Sequence, residues 1–143
     1  MCDVAKGDRE ERQTGVLICV AKWFIEELTM LYAYILINIM LAAALAVSAV
    51  LDFIRYEPIL VNMTRARVPV SLLTMLGTLK AAGALGLMIG FSVPIIGTAA
   101  AVGVILFFVG AILTHLRVRD YSFGLAALFL LVAVTTLGLG LAA

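Results

Sequence analysis

Charged residues are scarce in this chain. Only 13% of its 143 residues are Asp, Glu, Lys or Arg, against about 25% in soluble domains, and the formal net charge is +1. So small a charge leaves no basic surface for nucleic acid and no acidic surface for a cationic substrate. Nucleic acid is therefore excluded as a partner.

Residues that carry redox and metal chemistry are few as well. A single histidine, His115, excludes a haem held by two histidines of one chain. Cys2 and Cys19 are too far apart for a C-x-x-C pair, which argues against a thiol relay. His115 with Asp52 and Asp120 would make a poor metal site, so no metal is predicted. No nucleophile and base pair is found, which favours a protein that is not an enzyme.

Apolar residues make up 64% of the chain, against about 45–50% in soluble domains, and its mean hydropathy is +1.18. Both values are typical of an integral membrane protein. Four segments are long enough to span a bilayer as helices; they run from about Met30 to Ile54, Val70 to Phe91, Val93 to Leu116 and Phe123 to Ala143. Short connections between the later segments predict an all-α, up-down-up-down membrane four-helix bundle.

Residues 1–29 differ in composition from residues 30–143, which form the predicted bundle. A charged stretch, KGDREERQ, precedes a sequence in which Val16, Val20 and Phe24 share one helical face. This pattern favours an amphipathic tail at the membrane interface. The alternative is that translation begins at Met30, directly before the first span.

The connection 55–69 is the longest one between spans. Pro58 and Pro69 limit regular helix, yet Ile59 and Leu60 are too apolar for a free loop. Two interpretations stay open, a short segment lying on the bundle and a loop that the bundle merely covers.

Arginines concentrate at one end of the predicted bundle. The connections 55–69 and 117–122 share that end and carry five arginines, whereas the turn 91–94 carries no charge. The positive-inside rule then predicts a protein of the cell membrane with 55–69 and 117–122 in the cytoplasm. Four basic residues of the tail would lie on the opposite side and count against this orientation; they are Lys6, Arg9, Arg12 and Lys22.

Lys80 is the one charge in the middle of a predicted span. A cation there costs about 3 kcal/mol or more unless a partner or a water-filled cavity receives it. A functional polar site and a lysine that snorkels to one membrane face are equally open interpretations. Helical rise predicts an internal polar patch around Lys80. Its members are Ser48, Thr135 or Thr136 beside the lysine, beneath a rim of Asp52, His115, Arg117 and Asp120.

The block from Leu76 to Asp120 resembles the DoxX-like membrane proteins. In that family a lysine-bearing helix with small residues leads through a short proline turn to a helix that ends in His-Leu-Arg, with an acidic residue after it. The matching residues here are Lys80, Pro94, His115, Leu116, Arg117 and Asp120. The resemblance covers about Met30 to the C-terminus. It implies a four-helix membrane protein, and relatives are regarded as components of membrane redox complexes or as chaperone-like partners.

Two functions remain open from the sequence. The first is a non-catalytic subunit or scaffold of a membrane complex, with a protein partner and a quinone or lipid between its helices, contacted by Lys80 and His115. The second is a small carrier, as a homo-oligomer, in which Lys80 binds an anion or a proton. The absence of a second buried charge favours the subunit. Membrane lipids are partners in either case.

Overall fold

Helices account for nearly all of the described chain. A computed structural model describes residues 9–119, 121 and 123–142. The helices are α1 (Arg9–Phe53), α2 (Glu57–Arg65), α3 (Leu73–Ile89), α4 (Pro94–Arg117) and α5 (Gly124–Ala142), with a 3-10 turn at Val70–Leu72. Each of α1, α3, α4 and α5 contributes to a segment long and apolar enough to cross a membrane. The all-α membrane bundle predicted from composition is thereby confirmed.

The four long helices form a closed ring of antiparallel neighbours. Helix α1 packs against α3 and α5, and α4 packs against α3 and α5 as well. Buried Leu45, Leu87 and Val104 fill the centre together with smaller residues. Phe108 of α4 stacks on Phe129 of α5 with ring centroids 4.9 Å apart. The up-down-up-down order follows from these contacts.

Helices α3 and α4 approach each other closely near the proline turn that connects them. A Cβ atom added to Gly90 would lie 2.5 Å from the Cα atom of Gly97, so the two backbones touch there. One turn away, a Cβ on Gly86 would lie 2.6 Å from the Cβ of Ala100. Small residues allow such approach between helices in lipid, where packing drives association. The glycines of α3 therefore serve contacts within the chain.

Helix α1 is longer than the sequence predicted. It runs without a break through Met30, so the described part of the predicted tail belongs to the same helix as the first span. The physical reason is that neither Gly nor Pro occurs from Val16 to Phe53. Nearly all side chains from Arg12 to Tyr32 are exposed, so this part of α1 extends beyond the bundle. Residues 1–8 of the predicted tail lie outside the described residues.

The connection 55–69 contains the short helix α2. Pro58 stands in its first turn, where the missing N–H does no harm. Met63 of α2 and Ala66 just after it are buried. This arrangement agrees with the first interpretation, a short segment lying on the bundle, and it differs from a covered loop in being helical.

Three helices of the arginine-bearing end terminate in the same backbone motif. Arg55, Arg67 and Arg119 follow α1, α2 and α4, and their φ angles are 53°, 53° and 57°. After α1 and α2, the N–H groups of the arginine and of the residue that follows it bond back to carbonyls of the last turn, as in a Schellman motif. Glycine is the usual residue at that left-handed position, because a Cβ atom is strained there.

Candidate functional site

Lys80 of α3 meets a carboxylate inside the bundle. Its Nζ lies 2.7 Å from Oδ2 of Asp52 on α1, and the Lys80 side chain is 14% exposed. The same ammonium donates a hydrogen bond of 3.0 Å to Oγ of Ser48. Charges within membrane spans are commonly paired with one another in this way. Lys80 is therefore held by internal partners; Ser48 was predicted beside it, whereas Asp52 was predicted only in the rim.

Asp52 is the most buried charged group described in the protein. Its side chain is 1% exposed, and it lies one helical turn after Ser48 on α1, so both face Lys80. Oδ2 contacts the ammonium at ion-pair distance but not at a hydrogen-bonding angle, and Oδ1 has no hydrogen-bond partner among the described residues. The expectation of no second buried charge is wrong, because the end of α1 is covered by α3.

Gly77 of α3 makes room for this carboxylate. A Cβ atom at Gly77 would lie 3.1 Å from the Cβ of Asp52 and 3.4 Å from the carbonyl oxygen of Ala49. Contacts that short require a neighbour to shift. The close approach of α3 to α1 at Gly77 is thus what keeps Asp52 from solvent.

Beside the ion pair lies a cavity of about 500 Å³. Leu45 of α1, Lys80 and Gly83 of α3, and Gly103 and Phe107 of α4 are among its lining residues. Lys80 is its one charged residue within the described part of the chain, and Nζ lies 5.8 Å from the centroid of the Phe107 ring. An apolar space with one polar end suits an amphiphile.

The other predicted patch residues do not join Lys80. Thr135 is exposed and donates its hydroxyl to the carbonyl of Leu131 on its own helix, and Thr136 is buried but likewise bonds within α5. The prediction that either threonine reaches Lys80 is wrong, because α5 lies diagonally across the ring from α3, and the ammonium bonds to Ser48 of α1 instead.

The predicted rim divides between two places. Asp52 lies within the ion pair, whereas Arg117 is exposed and lines a second cavity at the end of α4. His115 is half-buried on α4, about 12 Å along the helix axis from Phe107, and it lines neither cavity. Asp120 lies outside the described residues. Of the predicted partners that the structure describes, Ser48 and Asp52 are the ones brought to Lys80.

Asn38 is a buried polar residue that the sequence reasoning missed. It is fully buried on α1, and its Nδ2 donates a hydrogen bond of 3.2 Å to the carbonyl oxygen of Leu87. That carbonyl is near the end of α3, and the N–H of Phe91 bonds to Met88 instead. Asn38 thus caps α3 from a neighbouring helix. The feature of the sequence that could have indicated Asn38 is a lone amide side chain within the apolar run of the first span.

Comparison with protein families gives one match. The model of the DoxX-like family matches residues 36–137, well over half of the chain. The matched range contains the ion pair, the cavity beside it and Asn38. The chain matches no curated protein and no solved structure.

Proposed function

Since the chain belongs to the DoxX-like family, we propose that this membrane protein is a non-catalytic subunit or scaffold of a membrane complex, and that its bundle holds a quinone or lipid. The observation that carries the proposal is the 500 Å³ cavity with Lys80 at its edge. Its walls are aliphatic, aromatic or glycine, which suits an isoprenoid or acyl chain. The ammonium supplies a hydrogen-bond donor for a carbonyl or ester head group.

Asp52 favours a neutral head group over an anion. Because its carboxylate already balances the charge of Lys80 at 2.7 Å, an anion would have to compete with a buried partner. A quinone carbonyl needs only one donor and leaves the ion pair intact. This is why a quinone or lipid is preferred to a free anion as the occupant.

A protein partner belongs to the proposal. The described residues of α1 before Tyr34 expose Val16, Val20 and Phe24, which share one helical face. This face extends beyond the bundle and would be available to a partner subunit of a redox complex or to a second copy of the chain. A redox protein that copurifies with the full chain in mild detergent, and is lost when these three residues are changed to serine, would support this part.

The cavity is tested by filling it without disturbing the bundle. Gly103 lines the cavity and has no atom within 4 Å of an added Cβ, so a Gly103→Leu variant should fold and occupy the space. Gly110 on the same helix is equally open and lines neither cavity, so Gly110→Leu is the matched control. Binding of a short-chain benzoquinone and of phosphatidylethanolamine is measured by native mass spectrometry of the purified chain.

We expect the wild type and Gly110→Leu to bind one of these two amphiphiles. Gly103→Leu should bind the same amphiphile with an affinity at least about tenfold lower. Equal binding by all three proteins, or no binding of either amphiphile to the wild type, would contradict the proposal.

Lys80→Gln tests the head-group contact, since it should weaken binding of the benzoquinone more than binding of a hydrocarbon chain without a head group.

The orientation is proposed on the arginine count alone. Connections 55–69 and 117–122 would face the cytoplasm. Single cysteines placed in each connection of a variant without Cys2 and Cys19 should react with a membrane-impermeant maleimide only after the cells are opened. Reaction in intact cells would reverse the orientation.

A second candidate function is proton transfer across the membrane, and the buried ion pair favours it. Lys80 and Asp52 can each gain or lose a proton, and their charges cancel at 2.7 Å, so two titratable groups lie in the apolar interior without a net charge. Liposomes that contain the protein and a pH-sensitive dye test this function. Proton flux that Asp52→Asn abolishes would establish it, and flux equal to that of empty liposomes would exclude it.

A further inference from the structure

Arginines surround a second cavity, at the end of α4. This cavity has a volume of about 470 Å³ and lies between the residues after α2 and the last turn of α4. Its lining residues are Ala66, Arg67, Thr114, Arg117, Val118 and Arg119. Half of these residues are arginines, and they come from two separate elements of the chain. The arrangement is unlike that at Lys80, where a carboxylate meets the single cation.

No carboxylate lines this second cavity among the residues that the structure describes. Guanidinium groups that share a cavity repel one another, and an anion bound among them would offset this repulsion. Arginine presents its N–H groups in a planar fork that matches two oxygens of a phosphate, and such pairs are among the stronger hydrogen bonds in proteins. Thr114 adds a hydroxyl, although that hydroxyl already donates to the carbonyl of Gly110 and has acceptor capacity left.

Two of these arginines have an unusual backbone conformation. Arg67 and Arg119 both occupy the left-handed position after a helix, where glycine would be relaxed. Cations are favourable at a helix C-terminus because of the helix dipole, and this accounts for a basic residue there. Arg55 has the same backbone outside the cavity, so what distinguishes Arg67 and Arg119 is that they line one cavity together with Arg117.

The length of α4 places the second cavity at the level of the phosphate groups of a bilayer. The span Pro94–Arg117 has 24 residues, or about 36 Å at helical rise, whereas the hydrocarbon core is about 30 Å thick. Arg117 ends that span and so reaches the head-group region. We propose that Arg67, Arg117 and Arg119 form a binding site for a phosphate group, carried either by an anionic phospholipid or by a soluble phosphate.

The site is tested with variants that relieve strain while removing charge. Arg67→Gly and Arg119→Gly delete a guanidinium and place glycine where the backbone favours it, so they should fold at least as well as the wild type. Arg55→Gly is the matched control, because Arg55 has the same left-handed backbone at the same end and does not line the cavity. Arg117→Gln removes the third charge.

Two probes separate the sources of the phosphate. Native mass spectrometry of the full chain in neutral detergent measures retention of phosphatidylglycerol against phosphatidylcholine. Melting temperature in inorganic phosphate, compared with chloride at equal ionic strength, measures binding of the soluble ion. Retention of phosphatidylglycerol with no effect of inorganic phosphate identifies a lipid head group, and a rise in melting temperature with inorganic phosphate identifies a soluble ligand.

We expect Arg67→Gly, Arg119→Gly and Arg117→Gln each to weaken phosphate binding about fivefold, and Arg55→Gly to leave it unchanged. Melting temperatures of the three glycine variants without ligand should equal or exceed that of the wild type. The proposal is overturned if Arg55→Gly weakens binding as much as Arg67→Gly, since any arginine at this end would then serve. It is also overturned if the wild type binds neither probe.

Discussion

Replacing Lys80 by methionine should destabilise the bundle more than any other single change at the ion pair. Methionine has nearly the length of lysine and fits the same apolar surroundings, so the change removes charge with little loss of packing. What remains is Asp52 at 1% exposure, without a cation at 2.7 Å. Removing one partner of a buried pair typically costs about 3–5 kcal/mol.

The geometry sets the size of the effect. At an effective dielectric constant of about 20, unit charges 2.7 Å apart attract by roughly 6 kcal/mol. Desolvation of both groups offsets most of this attraction, so the pair as a whole adds little to stability. The single variants do not behave alike. Asp52→Asn leaves an ammonium that keeps Ser48 and the face of Phe107, and we expect it to cost about 1–3 kcal/mol.

The double variant Lys80→Met with Asp52→Asn decides whether the two groups are coupled. Because it leaves no unpaired charge, its free energy of unfolding should be higher than that of Lys80→Met alone, with a coupling energy of about 2 kcal/mol or more. The assay is reversible unfolding in mixed micelles, titrated with a denaturing detergent. Thr135→Val is the control, since that exposed hydroxyl bonds only within its own helix.

Additive effects would refute this reasoning. If the two single changes sum to the double change within about 0.5 kcal/mol, Lys80 and Asp52 do not interact in the membrane. A second result against it would be a Lys80→Met variant as stable as the wild type, because Asp52 would then have to become solvated or take up a proton at no cost in stability.

Three further changes are measured by the same unfolding titration. Gly90→Ala places a Cβ atom 2.5 Å from the backbone of α4 and should cost about 1–3 kcal/mol, whereas Gly138→Ala has open space and should cost nothing. Asn38→Ala removes the cap on the Leu87 carbonyl and should cost about 1–2 kcal/mol, and no loss would show that water satisfies that carbonyl. Arg55→Gly should stabilise the protein by about 1 kcal/mol, and a loss would contradict the strain assigned to its backbone.

The spans could be predicted from the sequence because a helix that crosses a bilayer needs an apolar run long enough to match the bilayer thickness, and such runs can be recognised without knowing how the helices pack. The third span was predicted from Val93 to Leu116, and α4 runs Pro94–Arg117. The extent of α1 was missed for a different reason. The amphipathic composition of residues 1–29 predicted a separate tail, whereas the absence of Gly and Pro from Val16 to Phe53 allows one continuous helix.

The partners of Lys80 were harder to predict, because they depend on how helices rotate against one another. Ser48 was predicted from depth and is within hydrogen-bonding distance. Asp52 was assigned to the membrane surface from its position near the end of the first span. Its spacing of four residues from Ser48 does place both on one helical face, and a lysine stem can climb one turn. That spacing was the available signal for the direct pair.

The position of the cavity follows from a gradient in residue size along α4. Gly97, Ala100, Val104 and Phe107 face α3 at successive turns, and each is larger than the one before it. Helices α3 and α4 touch at Gly97, and because the distance between packed helices depends on the side chains at the contact, we expect the larger residues to hold them farther apart toward Phe107. The cavity and the ammonium of Lys80 lie along this contact, between Ala100 and Phe108. A buried charge is thus accommodated by the same packing that makes room for an apolar ligand.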